Sequence, residues 1–327
     1  MDWSHYRALV TGAGGFIGSH LVERLVQLGA DTRALVRYGS SGSWGWIDSS
    51  AAKDEIQVFV GDIRDPDSLR RAFQGVDIVF HLAALIGIPY SYYAPLSYMR
   101  VNAEGTLHVL QSALDAGAKL IVHTSTSEVY GTARYVPMDE NHVLQGQSPY
   151  SASKIAADKM AEAFHLSFGL PVAVIRPFNT YGPRQSSRAV IPTIITQALT
   201  GAEVRLGNLN SIRDFNYVAD VIDGFIRMAE CGEAIGQVIN IGTGKEVSIS
   251  QLVTVIAGLV GKNIRVVSED ERVRPGNSEV ERLCAQNAKA REILQWSPQY
   301  TLDKGLAQMV EWVRGNVEQY RLGTYAI

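Results

Sequence analysis

Gly12, Gly15 and Gly18 recur at intervals of three, directly after a β-branched run, Arg7–Thr11, and at the mouth of an amphipathic stretch, Gly18–Leu28. Few features restrict a chain more. The first glycine allows a tight turn, the second lets backbone approach a pyrophosphate, and the third lets the helix pack closely on the strand. The free N–H groups and positive end of the helix then face the anion. Gly12, Gly15, Phe16, Ile17 and Gly18 therefore form a candidate cradle for a dinucleotide.

The segments downstream of Leu28 have the rhythm that such a cradle needs. Thr32–Arg37, Ile56–Val60, Ile78–Leu82, Leu120–Thr124 and Val172–Arg176 read as strands. Pro66–Phe73 (with Asp65 as N-cap), Ala94–Asp115 and Ser151–Phe168 read as helices between them. Strands alternating with crossover helices predict an α/β fold with a doubly wound parallel sheet, whose ligands sit at the carboxyl ends of the strands. After about Phe178 the rhythm changes. Pro183–Ser187 and Gly207–Ser211 read as loops, and Val238–Ile241 as a short strand returning to the sheet. Ile191–Thr200, Ser250–Val260, Ala288–Leu294 and Leu302–Arg314 read as helices. The expected division is a dinucleotide-binding lobe of residues 1–178, rejoined by 213–243, and a smaller substrate-binding lobe of 179–212 and 244–327.

Composition narrows the function classes. The chain has 327 residues, 46% hydrophobic and 19% charged, with net charge −3 and no run of one sign, so no nucleic-acid surface is expected. No apolar run reaches the roughly 18 residues that a membrane span needs. Met1–Arg7 leads straight into a strand without a basic and apolar leader, which predicts a cytoplasmic protein. Two distant cysteines, Cys231 and Cys284, offer neither a disulfide framework nor a thiolate zinc site, and the seven histidines form no HExxH pair. No metal is expected. His5, His20, His108, His123, His142 and His165 read as structural or surface residues.

Chemistry gathers at two places. Tyr150 and Lys154 stand four apart, one turn along a single helix face. A phenol is a poor base at neutral pH, and a neighbouring ammonium favours its ionised form. The strand Leu120–Thr124 delivers Thr126-Ser127-Glu128 to its carboxyl end. Hydroxyls there often cap turns, but a carboxylate entering the fold before Val129-Tyr130 asks for another reason. Around the cofactor, Asp62 and Ile63 fall where an adenine would lie, and Leu82, Ala83 and Ala84 offer small residues beneath it. The end of the second strand, Val36-Arg37-Tyr38, has no acid for a ribose diol. Its Arg37 suits a 2′-phosphate, which favours NADP while leaving NAD open.

Taken together, these motifs resemble the extended short-chain dehydrogenase/reductase family of sugar-nucleotide epimerases, dehydratases and decarboxylases, a Rossmann fold. The resemblance runs over essentially the whole chain. It adds His81-Leu82-Ala83-Ala84, Arg176-Pro177-Phe178-Asn179 with Tyr181-Gly182-Pro183, Arg213-Asp214-Phe215 and Arg274-Pro275-Gly276. It implies Tyr150 as base, Thr126 at the sugar 4-hydroxyl and Lys154 on the nicotinamide ribose. It further implies Asn179, Arg213 and Arg274 at the nucleotide diphosphate, Arg188 near the nucleobase, and a homodimer formed through Ala94–Asp115 and Ser151–Phe168.

The subfamily turns on Thr126-Ser127-Glu128. In this family Thr-Asp-Glu accompanies hexose 4,6-dehydration, and Thr-Ser-Glu accompanies glucuronate decarboxylation. The wider wording resembles the N-acetylhexosamine-nucleotide 4,6-dehydratases of nonulosonic (legionaminic-type) sugar pathways, which also carry the serine. That wording includes His123–Thr132, Leu144–Ser151 and Ser278–Leu283. The expected activity is 4,6-dehydration of UDP- or GDP-GlcNAc, with Glu128 removing the C5 proton and Ser127 or Glu128 serving the leaving hydroxyl. A hexuronate decarboxylase, a 4-epimerase and a cofactor-binding protein without catalysis stand as alternatives.

Overall fold

The computed structural model describes residues 1–320, Asp270 by its backbone alone. β1 (Arg7–Thr11) passes through the glycine loop into α1 (Phe16–Gln27), followed by β2 (Asp31–Arg37), β3 (Ile56–Gly61), α2 (Pro66–Phe73) and β4 (Ile78–His81). Two short helices, α3 (Ile88–Tyr93) and α4 (Pro95–Tyr98), and a π-helical turn (Met99–Glu104) lead into α5 (Gly105–Asp115). β5 (Leu120–Thr124), α6 (Pro149–Phe168) and β6 (Val172–Pro177) complete this half. The expected helix Ala94–Asp115 is thus helical from Pro95 onward, with a π turn in its middle. Pro95 disfavours helical backbone at Ala94, which sits at φ −129°, ψ 52°, and the π turn widens the next coil. α1 also begins two residues before the expected Gly18, because Gly15 is already extended and serves as N-cap.

The second half contains β7 (Asn179–Tyr181), α7 (Val190–Thr200), β8 (Glu203–Leu206), β9 (Ile212–Arg213), β10 (Phe215–Tyr217) and α8 (Val218–Glu230). β11 (Val238–Ile241), β12 (Val247–Ser248), α9 (Ile249–Val260), β13 (Arg265–Ser268), α10 (Ala288–Leu294) and α11 (Leu302–Gly315) follow. Three two-stranded pairs, β7 with β10, β8 with β13 and β9 with β12, went unread in the sequence because segments of two to four residues carry no measurable period.

Seven strands form one sheet in the order β11-β6-β5-β4-β1-β2-β3, every pair parallel. β11 joins the edge beside β6, as read from Val238–Ile241. The chain direction reverses between β1 and β4, and this switch point opens a crevice at the strands' carboxyl ends. Both faces of the sheet are apolar, as an all-parallel sheet requires. Leu9, Leu35, Val79, Ile121 and Val174 face Leu69 and Phe73 of α2, Val109 and Leu110 of α5, and Phe164 of α6. Val10, Ala34, Phe80, Val122 and Ile175 face Leu21 and Leu25 of α1 and Val221 and Phe225 of α8. This second cluster runs on without a break into Ile194 and Ile195 of α7, Leu252 and Ile256 of α9, and Leu306 and Met309 of α11. One core therefore supports both halves.

Phe225 packs α8 onto the sheet, fully buried with its ring 6.4 Å from that of Phe80 on β4. Phe225→Ala is expected to cost about 3–5 kcal/mol through the cavity it leaves. A urea midpoint unchanged from wild type would refute that placement of the core.

Candidate active site

The glycine loop lies against β4's exit. Gly12 has φ +72°, and a Cβ there would stand 2.9 Å from the backbone of Ala83. At Gly18 a Cβ would stand 2.3 Å from the Gly12 carbonyl. Gly14, not read as essential, is equally constrained, since a Cβ would meet the Trp44 carbonyl at 2.3 Å and Trp46 N–H donates to the Gly14 carbonyl at 3.0 Å. Only the fold brings residues 44–46 over the loop. α1 has no side-chain cap, so the N–H groups of its first turn stay available to an anion. Thr11 Oγ1 accepts from the N–H groups of Leu82 and Ala83, both at 3.1 Å, and meets His81 Nδ1 at 2.8 Å. Burial holds His81 neutral, with His123 and Lys154 pushing the same way.

At the outer strands, Arg37 is exposed and pairs in register with Gly61, one residue before Asp62. The Asp62 carboxylate is held low first by its hydrogen bond to Arg64, despite partial burial, with Arg37 adding a smaller pull. Ile63 is buried, its side chain lying where a Cβ on Gly105 of α5 would reach.

α6 is set by a capping box between Ser148 and Ser151, with Pro149 at the first turn and Gly169 closing the helix at φ +68°. This start puts Tyr150 and Lys154 on the inner face, 7% and 5% exposed. Thr126 caps the short turn Ser127–Tyr130 by accepting from Glu128 N–H at 3.3 Å. Tyr150, Thr126 and Glu128 come together: Thr126 hydrogen-bonds Tyr150, and the Glu128 carboxylate acts on the Tyr150 phenol. Ser127 is buried beside them.

The expected effect of Lys154 on the phenol differs. Burial raises Tyr150 well above its ordinary value, the Thr126 hydrogen bond only partly opposes this, and Glu128 adds to the rise. The Lys154 ammonium instead donates to the Thr124 carbonyl at 2.7 Å. Burial lowers Lys154 to about 8, against the pull of Asp158.

Behind these groups lies a network that sequence reasoning missed. Asp158 accepts from Ser125 Oγ at 2.5 Å and Arg176 Nη2 at 2.9 Å, and meets His123 Nε2 at 3.2 Å. Burial pushes this carboxyl up, but His123, Arg176 and Lys154 together bring it well below the usual range. Arg176 also donates to Tyr130 Oη at 2.6 Å and lies over the Tyr130 ring. The stripe Tyr150, Lys154, Asp158 has a spacing of four throughout, and that was the signal available in the sequence.

The candidate diphosphate residues form a second group. Arg213 is nearly buried; its Nη1 donates to the Ile212 carbonyl at 3.0 Å and its Nη2 to Glu279 Oε1 at 3.4 Å. Burial lowers Arg213, while the carboxylates of Glu128 and Glu279 raise it and Arg274 lowers it further. Arg274 lies 3.7 Å from Glu279 Oε2. Asp214 fixes this region by accepting from the N–H groups of Thr243, Gly244 and Ala285. Asn179 has a buried Oδ1 with no partner. Arg188 is exposed and comes beside Gly87 and Tyr98, and the Tyr98 ring stands edge-on to Tyr150 at 6.2 Å.

Lys154 yields a pH signature. Its folded pKa of about 8 lies below the roughly 10.4 of an unfolded lysine, so between those values the unfolded chain binds the extra proton. The penalty is complete below pH 8 and is relieved as pH rises, by at most about 1.4 kcal/mol per pH unit. Unfolding titrations should show wild type gaining stability relative to Lys154→Met between pH 8 and 10. Parallel curves would refute the assignment.

Residues 9–309 match the family described as GDP-mannose 4,6 dehydratase. The chain is 36% identical to a UDP-glucose 4-epimerase of Mycolicibacterium smegmatis over 94% of its length and 98% of that protein. It is 31% identical to a UDP-N-acetyl-alpha-D-glucosaminuronate decarboxylase of Bacillus cytotoxicus, over 94% of this chain and 98% of the other. The crystal structure of the dTDP-glucose 4,6-dehydratase DesIV of Streptomyces venezuelae, with NAD bound, superposes with TM-score 0.86 at 30% identity, over 96% of this chain and 99% of that one. With the parallel sheet, the glycine cradle and the Tyr150/Lys154 pair, these likenesses make the chain a member of the extended short-chain dehydrogenase/reductase family of nucleotide-sugar epimerases and dehydratases.

Proposed function

We propose that the protein is a cytoplasmic nucleotide-sugar 4,6-dehydratase acting on UDP- or GDP-GlcNAc. The observation that carries this reading is the convergence of Tyr150, Thr126 and Glu128, a hydroxyl base and its partner beside a carboxylate. Simple 4-epimerisation needs only the first two.

The residues present suit a nicotinamide dinucleotide. The Gly12 turn leaves no room for a side chain against Ala83, and the uncapped start of α1 faces the crevice. Gly12, Gly15, Phe16, Ile17 and Gly18 would hold the pyrophosphate, with Leu82, Ala83 and Ala84 beneath it and Asp62 and Ile63 at the adenine. Residues 1–178 with 213–243 serve as the cofactor lobe and the remainder as the substrate lobe. A bound nicotinamide would supply reversible hydride storage between C4 and C6, so no net reduction would accumulate.

Thr126 aligns the 4-hydroxyl and Tyr150, once ionised against the burial that raises its phenol, takes the proton, with Lys154 holding the ribose. The 4-ketone acidifies C5, and Glu128 removes that proton. The 6-hydroxyl leaves as water with the proton that Glu128 took from C5, passed directly or relayed through Ser127. As hydride reaches C6 the resulting enolate is protonated at C5, and the proton that Tyr150 took from the 4-hydroxyl closes the balance. Asn179, Arg213 and Arg274 bind the diphosphate, and Arg188 lies toward the nucleobase. The exposed Leu96, Met99, Leu166 and Phe168 on or beside α4, α5 and α6 support a homodimer through these helices.

Ser127 favours a second reading, decarboxylation of a nucleotide hexuronate. Incubation with UDP-GlcNAc, GDP-GlcNAc and UDP-glucuronate, followed by mass spectrometry, separates the two. Loss of 18 mass units from a GlcNAc nucleotide without net cofactor reduction is expected, whereas loss of CO2 from the glucuronate alone would transfer the assignment. Glu128→Gln should lower dehydration by about 10²–10⁴-fold while sparing C4 oxidation. Normal dehydration by that variant would remove Glu128 from the mechanism.

Arg37, at a strand end without an acid, favours NADP. Its exposed guanidinium is free to meet a 2′-phosphate. Fluorescence titration should therefore show NADP binding more tightly than NAD, with the preference lost in Arg37→Ala. Tighter NAD binding by wild type would reverse the choice.

A further inference from the structure

Glu279 stands between the two arginines assigned above to the substrate diphosphate. Its Oε1 accepts from Ser211 Oγ at 3.1 Å and from Arg213 Nη2 at 3.4 Å, and its Oε2 lies 3.7 Å from Arg274 Nε. We propose that Glu279 is an internal anion seated in the diphosphate position, so that substrate binds by exchanging its diphosphate for this carboxylate. The inference rests on the reading of Arg213 and Arg274 as diphosphate ligands and adds what sets their affinity.

Three features of the cluster carry it. The first is the quality of the contacts. Charge-assisted N–H···O bonds settle near 2.7–2.9 Å, and both guanidinium contacts of Glu279 are longer. One carboxylate, with about four lone-pair sites, cannot satisfy the donors of two planar guanidinia, each of which has five. The second is a donor left over: Arg274 Nη1 is buried with no partner. A diphosphate presents more oxygens over a wider span and can meet such donors.

The third is charge. Arg213 already feels Glu128 on one side and Glu279 on another. Adding a diphosphate with Glu279 in place would put the anions around two guanidinia in excess, in a partly desolvated site where like charges repel strongly. Exchange avoids this. The backbone allows it, because the strap that carries Glu279 is anchored elsewhere. Ser278 Oγ donates to the Gln147 carbonyl and meets Tyr92 Oη at 2.7 Å. The Asn277 carbonyl accepts from Gln147 Nε2 at 3.2 Å. Rotation of the Glu279 side chain alone then clears the seat.

The test is calorimetric titration of UDP and GDP into the full chain at low ionic strength. Glu279→Gln should bind at least one of them roughly tenfold more tightly than wild type, and its ligand-free melting temperature should fall, because two guanidinia lose their counter-ion. Arg274→Gln should bind more weakly. Weaker binding by Arg274→Gln with unchanged or weaker binding by Glu279→Gln overturns the exchange and leaves the diphosphate site standing. Unchanged binding by Arg274→Gln overturns the site assignment itself. Should Glu279→Gln fail to fold, Glu279→Asp withdraws the carboxylate by one methylene and should tighten binding by a smaller factor; weaker binding there counts against the exchange.

Discussion

The carboxylate of Asp158 joins the three elements on which the site is built. It projects from α6, accepts from Arg176 on β6, and meets His123 and Ser125 at the end of β5. These are the elements that carry Lys154 and Tyr150, the sheet edge toward β11, and the Thr126–Glu128 turn. Removing one partner of a buried, hydrogen-bonded ion pair typically costs about 3–5 kcal/mol, since the other charge remains in low dielectric. Here the loss would also release the turn, because Ser125 immediately precedes Thr126.

Electrostatics then divides the site in two. Around Tyr150, burial works against every charged form, raising the phenol and lowering Lys154, whose ammonium is supported by the Asp158 charge and by the Thr124 carbonyl. Around Arg213 the charges alternate, Glu128 and Glu279 against Arg213 and Arg274, so each is partly balanced by its neighbours. The guanidinium of Arg213 thus links the group around Tyr150 and Glu128 to the group of Arg274 and Glu279, and a charge placed in one changes the field felt by the carboxylate of the other.

Much of this was legible in the sequence because it is local. Pro66–Phe73, Leu120–Thr124 and Ala288–Leu294 fall at the read boundaries, since caps, β-branched runs and apolar periods are encoded within a few residues. The Gly12 turn was legible because strand, loop and helix are contiguous. The π turn at Met99–Glu104 and the three short strand pairs were not, because they answer to packing and to partners distant in the chain. Gly14 escaped notice for the same reason: its constraint is the Trp44 carbonyl, thirty residues away.

The sequence by itself determined the α/β class, the cradle after β1 and the residue types needed for proton transfer. Each depends on spacing along one element, and the geometry of helix and strand converts such spacing directly into position. Only the tertiary structure decided that Tyr150 is raised and not lowered, that Asp158 lies behind the site, and that Glu279 sits between Arg213 and Arg274. Those outcomes depend on desolvation and on charges brought together from remote segments, and neither quantity exists until the chain has folded.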